Sequence, residues 1–105
     1  MAGQTCRSSG VLAADKVVSN EQCLLVSIHA CETGSSTAEI RVFDGTSAAG
    51  TEIARIVLFA AKTILAISVP AANQTIEFDM HGVLARNGLF FKKQSGSVAC
   101  SIEFA

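Results

Sequence analysis

Apolar and polar residues alternate along most of this chain in short segments, and clusters of Gly, Ser, Asn and Asp separate the segments. Alternation with a period of two places successive side chains on opposite faces of a β-strand. The segments are also rich in β-branched residues, which favour strands over helices. The pattern therefore predicts a protein built almost entirely of β-strands.

Seven strands follow from this alternation. They are predicted over Gln22 to Cys31, Thr37 to Asp44, Thr51 to Phe59, Thr63 to Val69, Thr75 to His81, Leu89 to Gln94 and Val98 to Phe104. Asn87-Gly88 and Ser95-Gly96-Ser97 are turn sequences between the last strands. Pro70 ends the fourth strand, because proline cannot donate a hydrogen bond to a β-ladder.

The same period assigns faces to the strands. In the first strand, one shared face is predicted for Leu24, Val26, Ile28 and Ala30. In the fifth strand, Ile76, Phe78 and Met80 are predicted to point inward. Thr51 to Phe59 is apolar on both faces, which indicates a central strand or one covered by a neighbouring subunit.

A helix competes with the strand prediction over Thr51 to Ala66, where several alanines are good helix formers. The apolar residues of this segment do not gather on one helical face, and many are β-branched. Only a short helical turn near Ala60 to Thr63 is kept as an alternative.

Seven or eight short strands within 105 residues predict an all-β fold, a two-layer antiparallel β-sandwich of jelly-roll or Ig-like type. Residues 11–105 are predicted to form one domain. Residues 1–10 are polar and contain glycine, so we expect an N-terminal arm that is disordered alone and orders against a partner.

The composition shows, in addition, that the domain has an unusually small share of charged residues. Hydrophobic residues make up 50% of the chain and charged residues 16%, against a usual charged share of about 25%. Few charges are left to cover an isolated monomer, so part of the surface is predicted to be buried against a partner. The net charge of −1 and the scattered basic residues argue against nucleic-acid binding.

No membrane or export segment is predicted. The longest apolar stretch, from Ile53 to Pro70, is interrupted by Arg55 and Lys62 and has the period of strands. The first ten residues lack the apolar core of a signal peptide. We therefore expect synthesis in the cytoplasm and retention there, unless the protein leaves inside a larger particle.

The four cysteines, Cys6, Cys23, Cys31 and Cys100, have no paired C-x-x-C spacing. Without an export signal they are interpreted as buried, reduced thiols, and disulfides formed after release to an oxidising exterior remain the alternative. The spacing argues against a zinc site with His29 or His81.

The sequence contains no recognisable catalytic motif. The two histidines are interpreted as surface or interface residues, because no nucleophile-elbow sequence occurs. Glu77 and Asp79 lie two apart on one strand, as in many solvated faces, and the loop at Asp44 to Ser47 offers one carboxylate, too few for Ca²⁺. The chain is predicted not to be an enzyme and to need no cofactor, metal or small-molecule substrate.

Three segments resemble parts of small virion proteins of tailed bacteriophages. Ile40-Arg41-Val42-Phe43-Asp44-Gly45-Thr46-Ser47 followed by Gly50-Thr51-Glu52-Ile53 is similar to a strand, "DGT" loop and strand unit of those proteins. Phe78 and Gly82 ahead of Asn87-Gly88-Leu89-Phe90-Phe91 resemble their "NGL" turn and strand. Ser95 to Phe104 resembles their closing hairpin strand, although Phe104 stands where look-alikes often carry Tyr.

The resemblance implies a structural component of a phage particle, most like a capsid cement (decoration) protein that clamps neighbouring capsid subunits. Its partners would be the major capsid protein and further copies of itself in a dimer or trimer, on the capsid surface of the virion. The candidate interface residues are Gln4, Arg7, Phe43, Arg55, Phe59, Phe90 and Lys92.

Two alternatives stay open at this point. One is a tail or fibre component of the same kind of particle. The other is a soluble module that binds carbohydrate or another partner, although such modules generally stack sugars on Trp or Tyr, and this chain has neither.

Overall fold

The structure, a computed structural model, describes residues 6–34, 37–58 and 75–105. Within these ranges the chain forms eight β-strands and no helix. The strands are β1 (Arg7–Ser8), β2 (Lys16–Ser19), β3 (Cys23–Glu32), β4 (Ala38–Asp44), β5 (Thr51–Leu58), β6 (Thr75–Ala85), β7 (Leu89–Ser95) and β8 (Val98–Phe104). The prediction of an all-β chain is confirmed.

The strands form two sheets of four. Sheet A has the order β1-β8-β3-β6, sheet B has the order β2-β7-β4-β5, and all neighbouring strands are antiparallel. The predicted two-layer sandwich is confirmed. Four antiparallel pairs, β1 with β8, β2 with β7, β3 with β6 and β4 with β5, alternate between the sheets, which is the jelly-roll arrangement rather than the Ig-like one.

The core lies between the sheets and is filled by one face of each strand. In β4 the core residues are Ala38, Ile40 and Val42, and in β8 every second residue from Val98 to Phe104 is buried. Full burial of one such aliphatic or aromatic side chain stabilises the fold by about 1.5–3 kcal/mol.

β3 changes its inward face at a bulge. Its register against both neighbours shifts between Leu25 and Ser27. Before the shift Cys23 and Leu25 are buried, and after it Ile28 and Ala30 are buried. The predicted single face for Leu24, Val26, Ile28 and Ala30 is wrong, because the extra residue reverses the alternation halfway along the strand.

β6 contains a larger irregularity opposite the same point. Asp79 pairs with Ser27 and Val83 with Leu25, so the three residues 80–82 face one residue of β3. His81 and Gly82 both have positive φ, 54° and 79°, and the His81 N–H donates to Asp79 Oδ1 at 2.9 Å. The strand therefore runs four residues beyond its predicted end at His81, through a bulge.

Phe78 lies on the core side of β6, where it pairs with Ile28. It is nevertheless 41% exposed. β6 is the last strand of sheet A in the described part of the chain, so its core side is covered on one flank alone. Phe78 therefore points inward as predicted, but its side chain stays exposed.

Two of the sequence predictions concern residues that the structure does not describe. The strand at Thr63 to Val69 and the alternative helical turn at Ala60 to Thr63 fall outside the described residues. β1 and β2 were not predicted, because two and four residues are too few to show an alternating pattern.

Candidate functional site

The outer face of sheet B gathers four of the seven predicted interface residues. Phe90 of β7 is paired with Phe43 of β4, and in the next row Lys92, Arg41 and Arg55 lie side by side across β7, β4 and β5. We call this surface the sheet B face. It consists of Val17, Glu39, Arg41, Phe43, Glu52, Arg55, Val57, Phe90 and Lys92.

The aromatic part of the sheet B face is a tilted ring pair. The ring centroids of Phe43 and Phe90 are 6.4 Å apart with an interplanar angle of 48°. Phe43 is only 6% exposed, so its ring packs mainly within the chain, whereas Phe90 is half-buried. Val17 beside Phe90, and Val57 at the far side, are each 41% exposed.

The charged part of the face is a network of ion pairs. Arg41 and Arg55 are cross-strand neighbours, and such a pair of like charges is destabilising alone. Glu52 accepts two hydrogen bonds from Arg55, at 2.9 and 3.1 Å, and lies 3.7 Å from Arg41 Nε. These arginines lower the pKa of Glu52, chiefly through the hydrogen bonds from Arg55, and Glu52 raises the pKa of Arg55.

Two further acids complete the network. Glu39 accepts a hydrogen bond from Arg41 Nε at 2.6 Å. Asp15 lies 3.5 Å from Lys92 Nζ and accepts the backbone N–H of Lys93 at 2.9 Å, which fastens the segment before β2 to β7. Every cation of the sheet B face is thus paired with a carboxylate.

The other predicted interface residues are not on this face. Arg7 lies on β1 in sheet A, with its guanidinium carbon 4.6 Å from the centroid of the Phe104 ring. Gln4 and Phe59 fall outside the described residues.

The outer face of sheet A carries a polar cluster that sequence reasoning did not identify. We call this surface the sheet A face. Its side chains are Ser27, His29 and Cys31 of β3, Thr75, Glu77 and Asp79 of β6, and Ala99, Ser101 and Glu103 of β8. Its centre is the imidazole of His29.

His29 lies between two carboxylates from different strands. Its Nε2 is 3.2 Å from Glu103 Oε1, and its Nδ1 is 3.5 Å from Glu77 Oε2. Ser27 donates to Glu103 Oε1 at 2.5 Å and lies 3.3 Å from His29 Nε2. The hydrogen bond from Ser27 and the contact with His29 lower the pKa of Glu103.

A serine, a histidine and two acids in contact invite comparison with a catalytic triad, in which the serine hydroxyl gives its proton to the imidazole. Here the Ser27 hydroxyl donates to Glu103 instead, and Ser27 is 9% exposed. The arrangement therefore suits a structural network better than nucleophilic attack. A hollow of about 160 Å³ beside it is lined by Val11, His29, Ala30, Cys31, Thr75, Ala99, Cys100 and Ser101.

The sequence offered little to reveal this cluster. Ser27 and His29 are visible as alternate residues of one strand, but Glu103 lies 76 positions from Ser27 along the chain. Only the pairing of β3 with both β6 and β8 brings the four side chains together.

The cysteines are four separate thiols in the structure. Cys23 and Cys100 are buried, Cys31 is half-buried and Cys6 is exposed. Burial raises the pKa of Cys100 to about 12. In the described part of the chain, no group of three or more His, Cys, Asp and Glu side chains is placed to hold a metal ion.

Comparisons with protein-family models, curated proteins and solved structures find no match to this chain. Among residues 6–34, 37–58 and 75–105 there is also no helix that is long and apolar enough to span a membrane.

Proposed function

We propose that this protein is a non-enzymatic structural component of a tailed-phage particle, a capsid cement protein that binds the capsid surface through the sheet B face. The resemblance of its "DGT" and "NGL" segments and of its closing strand to small virion proteins suggests the particle. Jelly rolls are frequent in viral capsid proteins, and they also occur in lectins, so the fold is compatible with the proposal without deciding it.

The observation that carries the proposal is the composition of the sheet B face. Aromatic residues and arginines are enriched in protein interfaces, and on this face Arg41 and Arg55 lie side by side in the row next to Phe90. Val17 and Val57 add exposed apolar surface at its two sides. Because the cations are already paired with carboxylates, a protein partner is a better fit than a polyanion.

The partner in this proposal is the major capsid protein, and the protein self-associates as a dimer or trimer on the shell. Sedimentation equilibrium measures the self-association directly. A tail or fibre position is the variant of the proposal to adopt if labelled protein is found on the tail of intact particles.

The binding test is co-sedimentation with capsids that lack this protein. We expect wild-type protein to bind saturably, and Val57→Asp to weaken binding about tenfold or more, because it buries an unpaired charge at the interface. Val11→Asp is the matched control, since Val11 is 78% exposed and lies beside the sheet A face. Failure of the wild type to bind would exclude the cement role, and equal loss in both variants would exclude the sheet B face.

A further inference from the structure

A groove opens on the flank of the sandwich where β1 and β2 lie. In the described part of the chain, β1 is the end strand of sheet A and β2 is the end strand of sheet B. The groove has a volume of about 310 Å³ and is lined by Arg7 of β1, Phe104 of β8 and residues 17–21. It therefore places a permanent cation between the ends of the two sheets.

Arg7 is held over the ring of Phe104. The two residues are cross-strand partners in β1 and β8, and the guanidinium carbon lies 4.6 Å from the ring centroid. Phe104 is only 6% exposed, so the core fixes the ring and the ring supports the guanidinium. A guanidinium that stacks through its face keeps the N–H groups of its edge for an acceptor.

The charge of Arg7 is not balanced by a carboxylate of an Asp or Glu side chain within the chain. All nine Asp and Glu residues lie in the described ranges, and none of them forms an ion pair with Arg7. On the sheet B face, in contrast, Arg41, Arg55 and Lys92 are each paired with such a carboxylate. Arg7 is thus suited to an anion that another molecule supplies.

The other polar residues of the groove select among anions. Ser19 and Asn20 carry a hydroxyl and an amide, which can donate to an oxygen. Glu21 adds a negative charge, which repels a multiply charged phosphate more strongly than a single carboxylate. A guanidinium also matches the planar carboxylate with two parallel hydrogen bonds. A single carboxylate is therefore the anion that fits best.

We propose that this groove binds an acidic side chain, Asp or Glu, of a protein partner. Val17 lines the groove and also belongs to the sheet B face, so a partner seated on that face reaches Arg7 at its margin. The identification of this partner with the capsid protein rests on the proposed function. The carboxylate chemistry depends on the groove alone.

The test is an NMR titration with the blocked tetrapeptide acetyl-Ala-Glu-Ala-Ala-amide and with its counterpart in which Gln replaces Glu. We expect the Glu peptide to shift the Nε–Hε signal of Arg7 saturably, with half-saturation on the order of a few millimolar, and the Gln peptide to leave it unchanged. Absence of a saturable shift, equal shifts with both peptides, or tighter binding of inorganic phosphate would overturn the carboxylate site.

Three variants locate the binding, which is then read from the backbone amides of residues 19–21. Arg7→Gln should weaken binding of the Glu peptide about five- to tenfold, and Glu21→Gln should strengthen it about twofold, because it removes a repelling charge. Arg86→Gln is the matched control, since Arg86 is an exposed arginine outside the groove, and it should change nothing. Equal effects of Arg7→Gln and Arg86→Gln would exclude Arg7 as the anion-binding group.

Co-sedimentation with capsids separates this inference from the proposed function. Arg7→Gln should bind capsids about fivefold more weakly than Arg86→Gln, and equal binding would overturn the contact of Arg7 with that partner. Wild-type protein that binds the Glu peptide and fails to bind capsids would support the carboxylate site and exclude the cement role.

Discussion

Glu32 is the one charged residue with no exposed surface in the described part of the chain. It lies on the core side of the end of β3, where one carboxylate oxygen accepts the backbone N–H of Gly34. Its Oε1 has no hydrogen-bond partner among the described residues. A buried carboxylate without full hydrogen bonding is costly, so this side chain opposes folding.

Glu32→Gln should therefore raise the free energy of unfolding at neutral pH by about 1 kcal/mol, because an amide costs less to bury than a carboxylate and can still accept from Gly34. Urea denaturation measures the change. Glu39→Gln is the control, since Glu39 is paired with Arg41 and its replacement should not stabilise. A less stable Glu32→Gln protein would mean that the carboxylate is fully satisfied.

Gly96 is fixed by both its conformation and its neighbours. Its φ is +73°, and a Cβ there would lie 2.6 Å from Ala38 Cα and 2.7 Å from the carbonyl oxygen of Thr37. Gly10 has the same φ of +73° with nothing within 4 Å of its Cβ position. An alanine at Gly10 would therefore carry only the free-energy cost of the backbone conformation, whereas an alanine at Gly96 would add the cost of the clash.

We expect Gly10→Ala to cost about 1 kcal/mol and Gly96→Ala at least about 2 kcal/mol, because the second adds a backbone clash to the same strained φ. Chemical denaturation of both variants tests this. Equal losses would show that the turn between β7 and β8 shifts easily to admit a methyl group.

The cysteines should differ in their reactivity with a thiol-alkylating reagent at about pH 8, because the thiolate is the reacting form. We expect Cys6 to be modified first, and Cys23 and Cys100 only after unfolding, since they are buried and burial raises the pKa of both. Mass spectrometry of timed samples gives the order. Early modification of Cys100 in the native protein would contradict its position between the sheets.

At the scale of the elements, the alternation of the sequence located the strands well and their irregularities poorly. Ala38 to Asp44 and Val98 to Phe104 match their predictions to within one residue, because their core residues are apolar and their outward residues, apart from Phe43, are polar or small. At Val26 both possible faces are apolar, so nothing in the local sequence shows where the bulge falls. The position of the bulge is set by the pairing of β3 with β6 and β8. With the register shifted between Leu25 and Ser27, both Leu25 and Ile28 are buried in the core.

The ion pairs of Glu52 with Arg41 and Arg55, which connect β4 and β5, predict how the stability of the protein changes in acid. A carboxylate whose pKa is lowered by folding stabilises the fold above its unfolded pKa, and that stabilisation is lost as the pH falls through the lowered value. The pKa of Glu52 is lowered mainly by the hydrogen bonds from Arg55. Protonation would also remove the one carboxylate that lies within ion-pair distance of both Arg41 and Arg55, which are cross-strand neighbours.

Between about pH 6 and about pH 3, the melting temperature of Glu52→Gln should therefore fall less steeply than that of the wild type. Glu21→Gln is the comparison, because Glu21 is exposed and forms no ion pair with the described residues. Identical slopes for wild type and Glu52→Gln would show that the bridge contributes nothing to acid stability.

At the scale of the whole molecule, the sequence predicted the class and left the topology open. The period of two and the short turns were enough for an all-β sandwich, whereas the jelly-roll order depends on which distant strands pair, as β1 does with β8. The same limit applies to the surfaces. Phe43, Phe90, Arg55 and Lys92 were predicted as interface residues without a strand order, and only the register of β4, β5 and β7 places them on one face.

The position of β8 inside sheet A has a consequence for how the protein is made. β1 is bonded to β8, and β8 separates it from β3, so sheet A cannot be assembled in the order in which its strands leave the ribosome. Until Val98–Phe104 has been synthesised, the edges of β1 and β3 that bond to β8 have no partner strand. Folding therefore waits for translation, and the growing chain exposes Leu25, Ile28 and Ala30 in the meantime, when it is most open to aggregation and to chaperones.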